Sequence, residues 1–500
     1  MRTYRFCSPF LSLLIVGWIV FLGLDNNGVA LAHCVNVKAF GAVGDGITDD
    51  TASIQAAINA VALLPKPIVC FPAGHYRLTY ALRPEVDHLT LLGGDGAVLV
   101  ADPDMAGLGA GFPEAILVDR DFPNPPQPVY GLTIQSLAFE VKNGFGTNWP
   151  ISAAVIQLNN CEHCLVTDVS ITYTGPTPKP GQLDGIATSQ GTTGQIQHVT
   201  VDGIPKGGIY LASGTHDLIV DGCEAKNTRG PVGQVGFVIA GAHHVSVRHS
   251  RSHDNAGAGL LIVDQAGGPT TDVQVVASDF SYNGAEGIKL ASIYDGLLPT
   301  RIQLTNVSAF NNASHGIFVE AGRDVSIDYP EVAGSSLAGI WLDNIPIGPT
   351  FATRTTGVQI TNPSIYDNGR LGVVVPGIAL RAVQQVVIRG GSVFRTAATS
   401  EQIYGIGLYR SPAGVPSDQV RIVQVDAIVG LQPPPVVTID LQGLEDLAAA
   451  AHTGYYHIRG NGSPEGVLSA PAGSYYFDLV NQRPYKKGSG WGPTGWVAQP

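Results

Sequence analysis

The chain has 500 residues, a formal net charge of −12, 62 glycines and 34 prolines, and 44% of its residues are apolar. This apolar fraction is too high for a disordered chain, so the excess of glycine is assigned to turns. The acidic balance excludes general binding to nucleic acids or to anionic membranes, and an acidic polymer would have to meet a local basic patch.

Residues 1–32 have the features of a secretory signal peptide. Arg2 and Arg5 precede an apolar run over residues 11–24, and Ala30-Leu-Ala32 fits a cleavage site. No later segment is long and apolar enough to predict a membrane span. The sequence therefore predicts an exported protein, extracellular or periplasmic.

Five cysteines follow the predicted cleavage site. In an oxidising compartment Cys34 and Cys70 are predicted to form a disulfide across the N-terminal cap. Cys161 and Cys164 are interpreted as a structural turn, which a local disulfide would suit. A zinc site is disfavoured because no second pair has the matching spacing.

The N-terminal segment predicts a capping helix. Asp49 or Asp50 can serve as its N-cap, and Ile54, Ala57, Ile58 and Val61 recur at helical spacing. Such a helix would cover the open end of the first coil of a solenoid and protect an exposed sheet edge.

The same segment carries a family resemblance. Phe40-Gly-Ala-Val-Gly-Asp-Gly-Ile-Thr-Asp-Asp-Thr51 and Val69-Cys-Phe-Pro-Ala-Gly-His-Tyr76 resemble the opening of pectate lyase-like β-helix proteins of the rhamnogalacturonase/epimerase type. The resemblance implies a right-handed β-helix and a polyuronate or related polysaccharide as substrate. It does not fix the reaction, because hydrolases, lyases, epimerases and viral tailspikes share this opening.

After an irregular stretch over residues 77–180, a glycine followed by two apolar residues spaced two apart recurs eight times. Successive glycines lie 28, 23, 28, 29, 23, 33 and 33 residues apart. This period predicts a strand-based solenoid with one repeat per coil, and coils that advance in one direction require parallel strands. The repeats begin at Gly208, Gly236, Gly259, Gly287, Gly316, Gly339, Gly372 and Gly405.

Asparagine tolerates left-handed backbone angles and bonds its own backbone, so it is expected to form a ladder between stacked turns. An asparagine stands four residues before four of these glycines: Asn255, Asn283, Asn312 and Asn368. The predicted fold class is all-β, a single-stranded right-handed parallel β-helix with an N-terminal capping helix. The predicted organisation is a signal peptide over 1–32, the β-helix over 33–430, a cap or linker over 431–460 and a small module over 461–500. The last resembles modules at the ends of tail-fibre and surface β-helix proteins, which allows oligomerisation through it.

Residues two and four positions after each glycine are expected to point outward. This places aromatic and charged residues together on neighbouring coils, an arrangement that suits sugar rings. The candidate catalytic residues are Glu286, Lys289, His315, Glu320 and Asp343, and the candidate substrate-binding residues are Asp264, Phe318, Arg323 and Trp341.

Family motifs do not identify the reaction. Ser314-His-Gly316 resembles the Gly-His-Gly element of polygalacturonases, but their other elements are missing in order, and the Asp-Pro-His-Glu of the epimerases is absent. Neighbouring carboxylates could serve a glycosidase, whereas Lys289 or Arg323 could neutralise a uronate carboxylate for a lyase or epimerase.

The leading hypothesis is a secreted enzyme acting on an acidic, pectin-like polysaccharide. Hydrolysis is slightly favoured over elimination or epimerisation because carboxylates outnumber basic groups in the patch. We predict no metal site and no cofactor, with calcium entering only for a lyase. The alternative is a non-catalytic glycan-binding or adhesive surface protein, and the charged residues also fit an ordinary solvated surface with a Lys289–Glu320 ion pair.

Overall fold

The structure is a computed structural model. It describes residues 34–102, 115–118, 127–142, 153–175, 183–230, 233–294, 297–344, 355–372, 375–397, 399–409, 417–423, 425, 438–440, 457–460, 463–466, 472–478, 480–489 and 494–499. The predicted signal peptide and most of the cap or linker lie outside these ranges.

The chain forms a right-handed parallel β-helix in which each coil contributes strands to three sheets. Sheet 1 has fourteen strands. In spatial order they are Val35–Asn36, Ile68–Phe71, Thr90–Gly93, Thr133–Gln135, Cys164–Thr167, Gly194–Gln197, His216–Asp221, His243–Arg248, Thr271–Val276, Thr300–Thr305, Arg323–Asp328, Thr356–Thr361, Gln384–Arg389 and Asp418–Val423.

Sheet 2 has twelve strands and carries the glycine repeats. Its strands are Ile116–Val118, Ala153–Asn159, Leu183–Ser189, Gly207–Leu211, Val235–Ala240, Leu260–Val263, Ile288–Ala291, Ile317–Val319, Ile340–Leu342, Val375–Arg381, Gln402–Tyr409 and Thr438–Asp440. The last strand lies beyond residue 430, the predicted end of the β-helix.

Sheet 3 closes each coil. Its first part has eight strands and its second part four, and isolated bridges through Asp279 connect them. The strands are Asp45–Asp49, Gly74–Leu78, Ala97–Ala101, Ala138–Val141, Ser170–Tyr173, Thr200–Asp202, Glu224–Lys226 and Arg251–His253, then Ser308–Phe310, Glu331–Ala333, Ser364–Tyr366 and Ser392–Phe394. A further pair joins Val129–Tyr130 to Cys161–Glu162.

The core runs along the axis of the helix, because inward side chains of successive coils stack in register. In sheet 2, one such column is fully buried, and this explains why the apolar residue after each glycine recurs. The column contains Ile186, Ile209, Phe237, Leu260, Ile288, Ile317, Ile340, Ile378 and Ile406.

One repeat lies in a different register from the expected one. Ile340 pairs with Ile378 and Ile378 with Ile406, so the repeat after Gly339 is Gly377-Ile-Ala-Leu. The assignment of this repeat to Gly372 is therefore wrong. Both segments satisfy the pattern in the sequence, and only the strand pairing separates them.

The corners of the coils use left-handed backbone conformations in stacked columns. The second residue of most sheet 1 strands has a positive φ, as at Asp272, Arg301 and Asp324, with values of 57°, 56° and 54°. Gly357 occupies this column one coil later. Because a single left-handed residue costs about 1–2 kcal/mol outside glycine, the pairing of neighbouring coils must stabilise these corners.

The predicted asparagine ladder is present, but its physical basis differs from the expected one. Asn255, Asn283, Asn312 and Asn368 are buried and do not adopt left-handed angles. Instead, the carboxamide of Asn312 accepts hydrogen bonds from both the backbone and the side chain of Asn283, and Asn283 does the same for Asn255. The ladder thus joins successive coils through buried amides.

The N-terminal end is capped as predicted by the α-helix Thr51–Val61, whose Ile54, Ala57, Ile58 and Val61 are fully buried. Asp50 is the N-cap residue, but its carboxylate accepts hydrogen bonds from the backbone amides of Val43 and Gly44. A 3-10 helix, Val37–Phe40, precedes it.

The predicted disulfide Cys34–Cys70 is present, and Cys161 and Cys164 form a local disulfide. Cys223 is a free, buried thiol.

The C-terminal residues form a separate sheet of four strands, His457–Gly460, Tyr475–Asp478, Arg483–Lys487 and Trp496–Ala498. Among the described residues, no helix has the length and apolar character needed to cross a membrane.

Candidate functional site

The outer face of sheet 2 changes character along the helix. The register aligns Tyr210, Val238, Leu261, Lys289, Phe318, Trp341 and Ala379 in one outward row. In the middle of this face Val238, Ala240, Val263 and Ala291 form a small apolar cluster that is shielded from solvent. The polar and aromatic residues singled out by the sequence follow directly after it, on coils about 4.8 Å apart.

Lys289 and Glu320 form an ion pair on neighbouring coils. The ammonium lies 2.8 Å from the Glu320 carboxylate and 5.3 Å from the centre of the Phe318 ring. Both side chains retain some exposure, 29% and 17%. The ammonium thus already has an anionic partner, which an incoming anion would have to replace.

Asp343 lies in a different environment from the exposed one expected. Its side chain is 1% exposed, and the guanidinium of Arg381 binds both carboxylate oxygens, with Nε at 2.7 Å. The backbone amide of Asn344 also donates to Asp343, at 2.8 Å. The hydrogen bond to Asp343 raises the pKa of Arg381, and this pair is the most completely buried charged contact of the patch.

His315 lies between the two ion pairs. Its ring centre is 5.2 Å from that of Phe318 and 5.1 Å from that of Trp341, and the residue is 9% exposed. Burial lowers the pKa of His315 to about 4, although Glu286 opposes this effect. The imidazole is therefore neutral at pH 7.

Two polar atoms in this cluster have no hydrogen-bond partner among the described residues: His315 Nδ1 and Trp341 Nε1. The backbone of Ala338 raises the pKa of His315, but by less than burial lowers it. A neutral imidazole carries a lone pair on one of its two ring nitrogens, and that nitrogen can accept a hydrogen bond or a proton. Buried unpaired atoms of this kind are uncommon and mark a place where a ligand group or water can bind.

Trp341 is enclosed by residues that the sequence analysis did not select. The Tyr409 ring stacks on Trp341 at 5.7 Å with an interplanar angle of 10°, and the Arg381 guanidinium lies 5.3 Å from the indole centre. A side chain at Gly407 would overlap Tyr409, so this glycine makes room for the stack. Counting from Gly377 places Arg381 in the outward position that Asp343 occupies one coil earlier. Counting from Gly372, as the sequence pattern suggests, does not place Arg381 on this face.

Glu286 completes the patch. Its carboxylate accepts a hydrogen bond of 3.0 Å from the hydroxyl of Ser314, the residue before His315. The structure thus brings together Glu286, Lys289, His315, Phe318, Glu320, Trp341 and Asp343 from the sequence, and adds Arg381 and Tyr409. We call these nine residues the sheet 2 patch.

Two further candidates do not join the sheet 2 patch. Asp264 is fully buried, and its carboxylate accepts hydrogen bonds from the backbone amides of Ile293 and Tyr294 at 2.6 and 2.9 Å. It therefore anchors the segment that follows the strand of Lys289. Arg323 is exposed at the start of a strand of sheet 1, on a different face of the helix.

A second buried ion pair lies on the other side of the apolar cluster. Lys206 Nζ is 3.1 Å from Asp184, which is fully buried, and 4.7 Å from the centre of the Tyr210 ring. Burial and the neighbouring Asp184 raise the pKa of Tyr210. Two strands, Val235–Ala240 and Leu260–Val263, lie between the strand that follows Lys206 and the strand of Lys289.

In the part of the chain that the structure describes, no three His, Cys, Asp or Glu side chains are arranged to hold a metal ion.

Comparison with known proteins gives one family. Residues 34–261 match the family described as rhamnogalacturonase A/epimerase, pectate lyase-like. Mannuronan C5-epimerase AlgE4 of Azotobacter vinelandii is 38% identical over 109 residues, which are 22% of this chain and 17% of that protein. AlgE1 of the same organism is 26% identical over 317 residues, which are 61% of this chain and 18% of that protein. The matches thus span less than a fifth of the length of these relatives.

Solved structures show the same fold. The A-module of AlgE4 from A. vinelandii covers 80% of this chain and 98% of its own, with a TM-score of 0.53 and 19% identity. PfbA, a surface adhesin of Streptococcus pneumoniae, covers 94% of this chain and 98% of its own, with a TM-score of 0.50 and 12% identity. At these identities the similarity concerns the fold alone.

Proposed function

Because this chain belongs to the pectate lyase-like family of right-handed parallel β-helix proteins, we propose that it acts on an acidic polysaccharide by removing the proton at C5 of a uronate residue. Return of a proton to the opposite face would give epimerisation, and loss of the C4 substituent would give elimination. One observation carries the proposal, a neutral buried histidine whose Nδ1 is unpaired beside a partly exposed cation.

Each residue of the sheet 2 patch has a role in this reaction. His315 Nδ1 is the base, since a neutral imidazole can accept a proton whereas an imidazolium cannot. Lys289 exchanges Glu320 for the uronate carboxylate and stabilises the negative charge that develops when C5 is deprotonated. Phe318 offers an apolar face to the sugar ring, and Trp341 Nε1 can donate to a hydroxyl or carboxylate oxygen.

The two ion pairs weigh against the preference for hydrolysis. A retaining or inverting glycosidase needs one protonated carboxylic acid beside a second carboxylate. Arg381 binds both oxygens of Asp343, and Lys289 binds Glu320, so a cation already occupies each of these carboxylates. The number of carboxylates in the patch favours hydrolysis. The ion pairs that Arg381 and Lys289 form with Asp343 and Glu320 remove this support for hydrolysis.

A non-catalytic glycan-binding protein is the second candidate. It is favoured by the pairing of Lys289 with Glu320 and of Arg381 with Asp343, because each charged group in these two pairs already has a partner. In that case Trp341 and Phe318 would bind sugar rings without a reaction. Export through residues 1–32 and attachment or oligomerisation through residues 461–500 belong to both proposals.

The test is to incubate the full chain with polymannuronate, polygalacturonate and a neutral glucan, with and without calcium. Three signals are followed together: inverted C5 configuration by NMR, ultraviolet absorbance of an unsaturated product, and reducing ends. Inversion, or absorbance and reducing ends rising together, supports the proposal. Reducing ends alone would indicate hydrolysis, and binding with no product would favour the second candidate.

A further inference from the structure

Sheet 1 carries a cleft that the proposed reaction does not use. It has a volume of about 600 Å³ and runs across five successive strands, from His243–Arg248 to Thr356–Thr361. Its floor is the outward row Ser246, Gln274, Gln303, Ser326 and Gln359, which the strand register aligns. We call it the sheet 1 cleft.

The polar floor is confined to the cleft. In the same row Ile219 precedes Ser246 and Val387 follows Gln359, so apolar residues bound the hydroxyl and amide side chains at both ends. Gln274, Gln303 and Gln359 are exposed. The uninterrupted run of five polar side chains is thus confined to these coils, and Gln195 and Arg421 lie in the same row beyond the two apolar residues.

The charges along one wall are matched within the protein. Arg301 binds Asp272 through two hydrogen bonds of 2.6 Å, His244 lies 3.8 Å from the same carboxylate, and Asp324 also interacts electrostatically with Arg301. This bidentate contact lowers the pKa of Asp272 to about 2, so the carboxylate stays ionised. The wall carries two carboxylates and one guanidinium, so it has no excess positive charge. It therefore offers no electrostatic attraction to an acidic polymer.

The floor instead offers donors and acceptors without net charge. Each carboxamide has two N–H donors and a carbonyl acceptor, and the spacing between successive coils is about 4.8 Å. This spacing is comparable with the length of one sugar ring along an extended chain. A ligand with repeated hydroxyl groups can therefore engage several coils at once.

We infer that the sheet 1 cleft binds a neutral polysaccharide in an extended conformation, lying along the axis of the helix. Hydrogen bonds from Gln274, Gln303 and Gln359 to sugar hydroxyls supply the recognition. Affinity arises from several such bonds in parallel, since each contributes only about 0.5–1.5 kcal/mol. The site is independent of the sheet 2 patch, which lies on another sheet.

Affinity electrophoresis of the full chain tests this inference, with hydroxyethylcellulose, glucomannan, xylan or polymannuronate in the gel. We expect at least one neutral polymer to retard the protein. The triple variant Gln274→Ala, Gln303→Ala and Gln359→Ala should bind that polymer at least about tenfold more weakly, which corresponds to the loss of three hydrogen bonds.

Two control variants establish that the retardation arises in the sheet 1 cleft. Gln195→Ala removes an exposed amide of the same sheet outside the cleft and should leave the retardation unchanged. His315→Asn alters the sheet 2 patch and should also leave it unchanged, so the inference stands or fails separately from the proposed function. No retardation by any neutral polymer, or equal retardation of the triple variant, would overturn it.

Discussion

At the scale of single residues, the chemistry of the sheet 2 patch depends on the burial of His315. The ring is packed between Phe318 and Trp341, and this loss of solvation lowers the pKa of His315 to about 4 from 6.5. The unfolded chain therefore binds a proton between these two pH values that the folded chain does not bind. It follows that this residue makes stability depend on pH.

The first prediction concerns this dependence. The stabilisation from neutral His315 is fully present above pH 6.5 and decreases as the pH falls towards 4, by up to about 3 kcal/mol for a shift of this size. In His315→Asn this contribution is absent at every pH. Urea unfolding between these pH values should give a steeper loss of unfolding free energy for the unmodified protein than for the variant. Parallel curves would mean that His315 titrates normally.

The second prediction concerns Lys289. If its ammonium stabilises charge at the uronate, Lys289→Met should lower kcat/KM on a polyuronate by about a hundredfold or more, because such electrostatic contacts contribute about 3–4 kcal/mol. Lys226→Met is the matched control, since Lys226 forms a similar ion pair with Glu224 on sheet 3. Equal turnover of the two variants would remove Lys289 from the reaction.

At the scale of elements, the register of one strand decides which residues reach the site. Gly372-Val-Val-Val and Gly377-Ile-Ala-Leu both fit the repeat, and only the second pairs with its neighbours. A Cβ at Gly377 would lie 2.3 Å from Val393 Cγ1, in the closed interior of the coil. Gly372 has no described neighbour within 4 Å but adopts a φ of +71°.

The third prediction follows from this difference. Gly377→Ala forces a methyl group into packed atoms and should cost about 3 kcal/mol of unfolding free energy. Gly372→Ala should cost about 1 kcal/mol, the strain of a left-handed alanine. Chemical denaturation of both variants measures the order, and a larger effect at Gly372 would contradict the register.

The sequence predicts those features of this site that depend on local patterns, and it does not predict those that depend on the pairing of distant strands. The glycine repeat, the buried asparagines and the spacing of the capping helix are local patterns, and they predict the coils and the outward face. The sequence pattern predicts an exposed Asp343, because its partner Arg381 is 38 residues away and the position of Arg381 depends on the slipped register. The stack of Tyr409 on Trp341 depends on a glycine two coils away, which no local pattern reveals.

At the scale of the whole molecule, the β-helix presents different side chains on different faces. Sheet 2 presents aromatic rings, paired charges and a buried histidine, whereas sheet 1 presents uncharged amides bounded by apolar residues. Since the coil spacing is the same on both sheets, each face can follow a polymer along the axis. An acidic and a neutral polysaccharide could then be held by one chain without competing for the same residues.

The most direct test of the proposed chemistry is solvent exchange at C5. Polymannuronate is incubated with the full chain in D₂O, and the reaction at C5 is followed by NMR for the unmodified protein, for His315→Asn and for His249→Ala. His249 serves as the control because it is an exposed histidine directly after a strand of sheet 1. We predict loss of the C5 proton with the unmodified protein and with His249→Ala, seen as deuterium at C5 or as a product with a C4–C5 double bond, and a rate at least about a hundredfold lower with His315→Asn. Absence of both signals in every uronate polymer tried, or equal rates in all three proteins, would contradict it.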